Sequence, residues 1–523
     1  MPRFIDYDYN QTVLLPVAFE NQILPGTFEH TVHYLIDHQL DLSIFNGKYK
    51  NDDSGRPAYD PAILLKIVLL AYARGVTSSR RIARLCEENV VFMAISADSR
   101  PHFTTIADFI SGSHEQIAAL FRQVLLICDQ MGLIGREMFA VDGCKMPSNA
   151  SKEWSGTQAN LKKKADKIDR AVRFLLGKHR EEDRRGPPEG SRREREERQI
   201  EKLQKASDKI KAFLDRNEAR LGRSGKEVQA NITDPDSAKM KTGHGVIQGY
   251  TGVVAVDAKH QVVVHAEAFG TGQEHGLLEP MLEQAEKNLE PTATGSSALD
   301  EAKVLADSGF HCKESLEHLE ERQIDAYVAD HGFRARDPRF ATASRHKYLP
   351  APGERIKVPK SSRERYTVAD FRVDIEQRTC VCPAGKTLWL RCARGRIGRQ
   401  IFMQFQGHKA DCTSCQLRPQ CVRSVTQKSP RLVNFLLESL PPEPNAPARE
   451  NALTRMRHKI DSTLGRYYYG MRLGIVEPVF GHLRENLGLD RFTLRGRPKV
   501  DGQWKLMAML HNLTKIHRYG MAT

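Results

Sequence analysis

Two short apolar runs, Met138-Phe-Ala-Val141 and Val304-Leu-Ala306, each end in an aspartate followed by a glycine, at Asp142-Gly143 and Asp307-Ser-Gly309. Uninterrupted apolar runs of this length predict strands buried on both faces. A carboxylate at the end of such a strand is costly to bury unless a cation sits beside it. Either aspartate alone reads as the cap of a turn. Two strands delivering an aspartate to the same sheet edge point instead to a shared divalent metal. Further strands are predicted at residues 246–256 and 262–266, joined by a hairpin turn at Asp257-Ala-Lys-His260, and at residues 324–329. Helical spacing at residues 276–288 and 312–321 separates them, so the order is that of a mixed α/β sheet with helical cover.

Upstream of the first strand the pattern is helical. Asp60-Pro61 is an N-cap followed by a proline at the first helical position, with Ile63, Leu64, Ile67, Val68 and Ala71 inward. Gly75 stops that helix, and Thr77-Ser78-Ser79 starts a basic one over residues 80–85. A third follows Pro101, with Ile106, Phe109 and Ile110 inward. The arrangement fits a helix-turn-helix on DNA and, equally, a plain bundle with solvated arginines. Residues 161–221 are strongly charged but carry two apolar stripes, Ile168, Val172 and Leu175, then Ile200, Leu203, Ile210 and Leu214. With a turn at Arg184-Arg-Gly-Pro-Pro-Glu-Gly190 between them, they predict a helical hairpin inserted in the sheet domain. Lys162-Lys-Lys164 and Arg192-Arg193 are placed on its outside.

Cys382, Cys412, Cys415 and Cys421 lie at a spacing that suits four thiolates around zinc, whose binding energy folds a small lobe lacking its own core. Cys380 and Cys392 are left as spares, and Cys86, Cys128, Cys144 and Cys312 are isolated. Leu440-Pro-Pro-Glu-Pro-Asn-Ala-Pro447 reads as a linker. Beyond it, residues 466–484 form a helix bearing a third acid, Glu477, and residues 504–516 an amphipathic helix that packs back on the sheet.

Composition adds a partner. A formal charge of +14 over 523 residues favours a polyanion, most simply nucleic acid. No run of about 18 apolar residues is present to span a bilayer, and the first residues lack a signal pattern. These features point to the cytoplasm, and for a DNA-binding chain to the nucleoid.

The set Val141-Asp142-Gly-Cys-Lys-Met146, Thr233-Asp-Pro-Asp-Ser-Ala-Lys-Met240, Ala306-Asp307-Ser-Gly-Phe310, Tyr469-x2-Arg472, Val476-Glu477 and Arg484 resembles the DDE transposases of bacterial insertion sequences. It is similar to the branch with a Tyr-x2-Arg…Glu-x6-Lys/Arg helix and a cysteine-rich insertion. The resemblance implies a ribonuclease-H-like mixed sheet. It divides the chain into a helical DNA-binding domain (1–130), a first part of the catalytic core (131–335, with the hairpin at 155–230), the cysteine-rich insertion (336–445) and the rest of the core (446–523). It implies Asp142, Asp307 and Glu477 as catalytic acids holding two Mg²⁺ ions, with Mn²⁺ as a substitute. Arg472, Arg484, Lys145 and Lys239 are implied as phosphate contacts and Tyr469 as a stacking group. Double-stranded DNA, as terminal inverted repeats and target, is the implied partner, with a homodimer when two ends are synapsed.

The sequence departs from the pattern in two places. Four residues instead of three separate Arg472 from Glu477, an offset of roughly 140° on a helix, and Pro478 follows the acid directly. Glu485 is the nearest substitute for the third acid. A different class, a zinc-containing DNA-binding regulator or a nuclease descended from a transposase, shares the same features without strand transfer.

Overall fold

The computed structural model describes residues 18–49, 57–184, 190–222, 225–243, 245–290, 298–337, 366–397, 400–422, 429–439 and 451–520. Most of the turn expected over 184–190, the side chain of Arg192 and the whole linker 440–447 lie outside the described residues. The chain divides into two compact units, residues 1–337 with 452–523, and residues 338–451.

In the first unit the helices α1 (Phe28–His38), α2 (Pro61–Ala73), α3 (Ser79–Glu88), α4 (Val90–Ile95), α5 (Phe103–Gly112) and α6 (His114–Gln130) precede the sheet. Asp60 caps α2 by accepting from the Ala62 N–H at 2.7 Å, beside Pro61. Every residue from Leu64 to Tyr72 is buried, so α2 is covered all round, whereas Arg80, Arg81 and Arg84 of α3 face solvent. Helices α1 and α6 were not anticipated as such. Their buried residues, including Val32, Leu35, Leu120 and Val124, belong to one continuous core with Val141, Val254 and Leu305 of the sheet. The N-terminal helices therefore share their interior with the sheet.

The strands are β1 (Met138–Pro147), β2 (Ser155–Gly156), β3 (Ala230–Asn231), β4 (Ala238–Thr242), β5 (Gly245–Asp257), β6 (Val263–Phe269), β7 (Lys303–Ala306) and β8 (Asp325–Val328). The main sheet runs β4-β5-β1-β7-β8, with β6 also on β5. The hairpin of β5 and β6 turns at Asp257, whose carboxylate accepts from the N–H groups of Gly135, Arg136 and Lys259. β1 outruns its expected end at Asp142. Its parallel pairing to β7 stops at Val141, but its antiparallel pairing to β5 continues to Pro147.

Helices α7 (Gln158–Asp183) and α8 (Gly190–Arg216) form the expected hairpin, with Leu161, Ala165, Ile210 and Phe213 between them. Arg193, expected outside, pairs at the surface of the hairpin with Asp183 at 2.6 Å. Helices α9 (Leu278–Leu289) and α10 (Lys313–Glu321) follow. α11 (Ala452–Asp461), α12 (Thr463–Gly481) and α13 (Arg497–Lys515) complete the unit. α13 packs on the sheet as expected. Trp504 Nε1 donates to Val253 O at 3.0 Å, and Asn512 brackets Val263 through both its N–H and its C=O. No helix among the described residues is long and apolar enough to cross a membrane.

The second unit departs from a coreless lobe. It is a five-stranded antiparallel sheet, β13-β12-β11-β10-β9, built from β9 (Arg372–Asp374), β10 (Thr379–Val381), β11 (Thr387–Ile397), β12 (Gln400–Gln406) and β13 (Leu432–Ser439). Phe371, Cys380, Leu388, Met403, Phe405 and Val433 form its core.

Candidate functional site

Strand register brings the two aspartates together. Val141 pairs with Ala306 at the last step of the parallel ladder, so Asp142 and Asp307 are the next residue of each chain. Asp142 Oδ1 accepts from the Gly143 N–H at 2.8 Å, and Asp307 Oδ1 accepts from the Gly309 N–H at 2.7 Å. Arg472 of α12 reaches the other oxygen of Asp142 through Nη1. Both partners are buried, with side-chain exposures of 9% for Arg472 and 12% for Asp142. Burial, opposed by Arg472 and assisted by the charge of Asp307, leaves the Asp142 carboxyl raised to about 6.

A third acid stands there that the sequence patterns did not single out. Glu274 lies in the loop between β6 and α9, and its carboxylate occupies the space that two glycines leave open. A methyl group on Gly143 would lie 2.7 Å from Glu274 Oε1, and one on Gly309 would lie 2.0 Å from Glu274 Oε2 and 2.9 Å from Asp307 Oδ1. Burial, with the charges of Asp307 and then Asp142, raises the Glu274 carboxyl to about 7 against the opposing charges of Lys145 and Arg472. The signal in the sequence was an acid inside Gly270-Thr-Gly-Gln-Glu274-His-Gly276, between a strand and a helix.

The remaining predicted residues are distributed around this point. Tyr469 meets Phe333 edge-on at 4.8 Å, and the Arg472 guanidinium lies 5.7 Å from its ring. Lys145 is exposed on β1 and donates to Lys241 O at 3.3 Å; Lys239 is exposed on β4. Arg484 is exposed, and its charge acts on the Cys144 thiol of β1. Glu477 is exposed on α12, five residues past Arg472, and has no ion-pair partner among the described residues. The charges that act most strongly on Asp142 are those of Arg472 and Asp307. α12 continues through Pro478. Proline lacks the N–H that would bond Gly474 O, and Gln261 Nε2 donates to that carbonyl instead, at 3.1 Å.

The donor set suits a hard divalent cation, since Asp307 and Glu274 oxygens converge on one point and Asp142 stands on the adjacent strand. The tightest group of three metal-ligating side chains among the described residues is elsewhere, at Glu279, Glu283 and His318 on α9 and α10. Both glutamates there are exposed and the histidine faces Glu279 at 3.5 Å, the pattern of a surface ion pair.

In the second unit Cys382, Cys412, Cys415 and Cys421 line one cavity together with His408 and Asp411. Gly407 makes room for the Cys412 sulfur, which a methyl group there would meet at 2.6 Å. Burial raises the Cys421 thiol, Arg431 lowers it, and the other three thiols raise it again. Cys380 is wholly buried in the core of that sheet.

No curated protein matches the chain. Two domain families do. Residues 17–112 match a transposase domain (DUF772), which spans α1 to α5. Residues 381–517 match the transposase DDE domain, a range that holds the four cysteines, Tyr469, Arg472, Glu477 and Arg484, while Asp142 and Asp307 fall outside both ranges. Together these two matches support a DDE transposase of the insertion-sequence type.

Proposed function

We propose that this transposase cuts the ends of its element and joins them to target DNA at the site around Asp142 and Asp307, on a ribonuclease-H-like sheet. The observation that carries the reading is the register of β1 and β7, which sets both aspartates at one sheet edge. Asp142, Asp307 and, on α12, Glu477 are the acids assigned to hold Mg²⁺ or Mn²⁺. Held there, such an ion would activate water, or a 3′-hydroxyl in the joining step, and would neutralise charge on the scissile phosphate. Arg472, Arg484, Lys145 and Lys239 bind phosphates, and Tyr469 stacks at the end of the element. Two ends held together call for two copies of the chain on DNA. Cys382, Cys412, Cys415 and Cys421, around one cavity of the second unit, would hold structural zinc.

Asp142→Asn and Asp307→Asn each abolish metal-dependent cleavage of an end-containing duplex while binding of that duplex persists. Retained cleavage in either variant excludes the site. The Arg472–Asp142 ion pair also supports a second reading, a zinc-containing DNA-binding regulator whose acid is neutralised internally. A regulator binds its sites equally well in EDTA and never nicks them.

A further inference from the structure

Gly143 and Gly309 follow the two aspartates and have ordinary backbone torsions, so neither is required by a left-handed conformation. What each provides is room. A side chain at either position would strike the carboxylate of Glu274, from Oε1 on one side and Oε2 on the other. The acid is therefore clamped between the Asp-Gly step of β1 and the Asp-Ser-Gly turn after β7. It makes no hydrogen bond or ion pair with its carboxylate among the described residues. A half-buried carboxylate held against two others, with nothing cationic bonded to it, is unfavourable for the protein alone. Arg472 is already committed to Asp142, which leaves Glu274 and Asp307 facing each other.

We propose that Glu274 is a further metal-binding carboxylate of this site and that it acts with Asp307 on the side of the cluster away from Arg472. This rests on the reading of Asp142 and Asp307 as metal ligands. It explains why a residue without a side chain stands directly after Asp142 and two places after Asp307. A cation between Glu274 and Asp307 replaces a repulsive contact by two attractive ones without disturbing the Arg472–Asp142 pair.

The test is Mn²⁺ binding to the full-length chain by calorimetry, with thermal unfolding in EDTA as a second readout. Glu274→Gln keeps the shape and removes the charge. It should weaken Mn²⁺ binding by about tenfold or more, a loss ordinarily seen even for groups that only support a ligand. In EDTA the same variant should melt no lower than the parent, because a repulsion has been removed. Gly309→Ala, which retains all three acids but displaces the Glu274 carboxylate, should weaken Mn²⁺ binding in the same direction. Parent-like Mn²⁺ affinity in Glu274→Gln, alongside lost affinity in Asp307→Asn, overturns the role of Glu274 and leaves the two aspartates in place. Parent-like affinity in Asp307→Asn as well overturns both readings together.

Discussion

Arg472 and Asp142, 330 positions apart in the chain, form a buried ion pair that ties α12 to the strand at the centre of the main sheet. A buried pair of this kind contributes little net stability, but removing one partner strands the other charge in a poorly solvated place. Arg472→Gln should therefore destabilise the protein by about 3 kcal/mol. Adding Asp142→Asn to it should recover most of that loss. Urea unfolding of the two single variants and the double variant reads the coupling. Additive losses would mean that the two side chains do not interact as described.

Much of the scaffold was legible because short-range chemistry determined it. The Asp60-Pro61 cap, the apolar runs into Asp142 and Asp307, the stripes of α7 and α8, and the Asp257 turn are all written in contiguous residues. Glu274 was not legible, since its role comes from the room beside Gly143 and Gly309, which belong to other segments. The sheet of the second unit was hidden for a related reason. Leu388, Met403, Phe405 and Val433, which make its core with Phe371 and Cys380, are spread over β11, β12 and β13 among many polar residues and form no contiguous apolar run. The environment of Glu477 depends on how α12 lies, which a residue count along the motif does not determine.

His511 of α13 gives a pH dependence whose sign follows from its contacts. Its Nε2–H donates to Gln261 O at 2.9 Å, so its Nδ1 is the acceptor in the 2.9 Å contact with His482 Nδ1, which carries the proton. A second proton on His511 would set two N–H groups against each other. Burial pushes its pKa from 6.5 down to about 3, with Lys515 and His482 contributing. Because the folded value is the lower one, the unfolded chain binds the proton first. Stability is full above pH 6.5 and declines as pH falls towards 3, by at most about 1.4 kcal/mol per pH unit from this group. His511→Gln should flatten the decline between pH 6.5 and 5 relative to the parent, as followed by urea unfolding at fixed ionic strength. Identical pH slopes would show that the histidine is already charged in the fold.

The four thiols of the second unit predict a local rather than a global dependence on zinc. The sheet has its own core, so chelation should loosen the turn and short helical segments that carry Cys382, Cys412, Cys415 and Cys421 and leave the ladder from β10 to β13 protected. Hydrogen exchange with and without chelator distinguishes the two regions. Elemental analysis should find one zinc per chain, falling towards none in Cys415→Ser. Zinc retained in that variant would move the metal elsewhere, and a chelator that exposed the whole sheet would show that the apolar core is insufficient alone.

Pro478 and Gln261 form the last testable pair. Proline in a helix interior removes one hydrogen bond, and here the orphaned Gly474 carbonyl is satisfied by the Gln261 amide. Gln261→Glu keeps an oxygen for Lys515, which donates to Oε1 at 3.2 Å, but replaces the donor facing Gly474 with a second acceptor. In the parent this should cost about 0.5–1.5 kcal/mol, the usual net worth of one hydrogen bond, because the Gly474 carbonyl is exposed and water can reach it. In a Pro478→Ala background the helix supplies its own N–H to that carbonyl, and the same change should cost about 1 kcal/mol less. Urea unfolding of the four proteins closes the cycle. Equal losses in both backgrounds would mean that the amide of Gln261 does not stand in for the missing helical bond, and that α12 tolerates Pro478 for another reason.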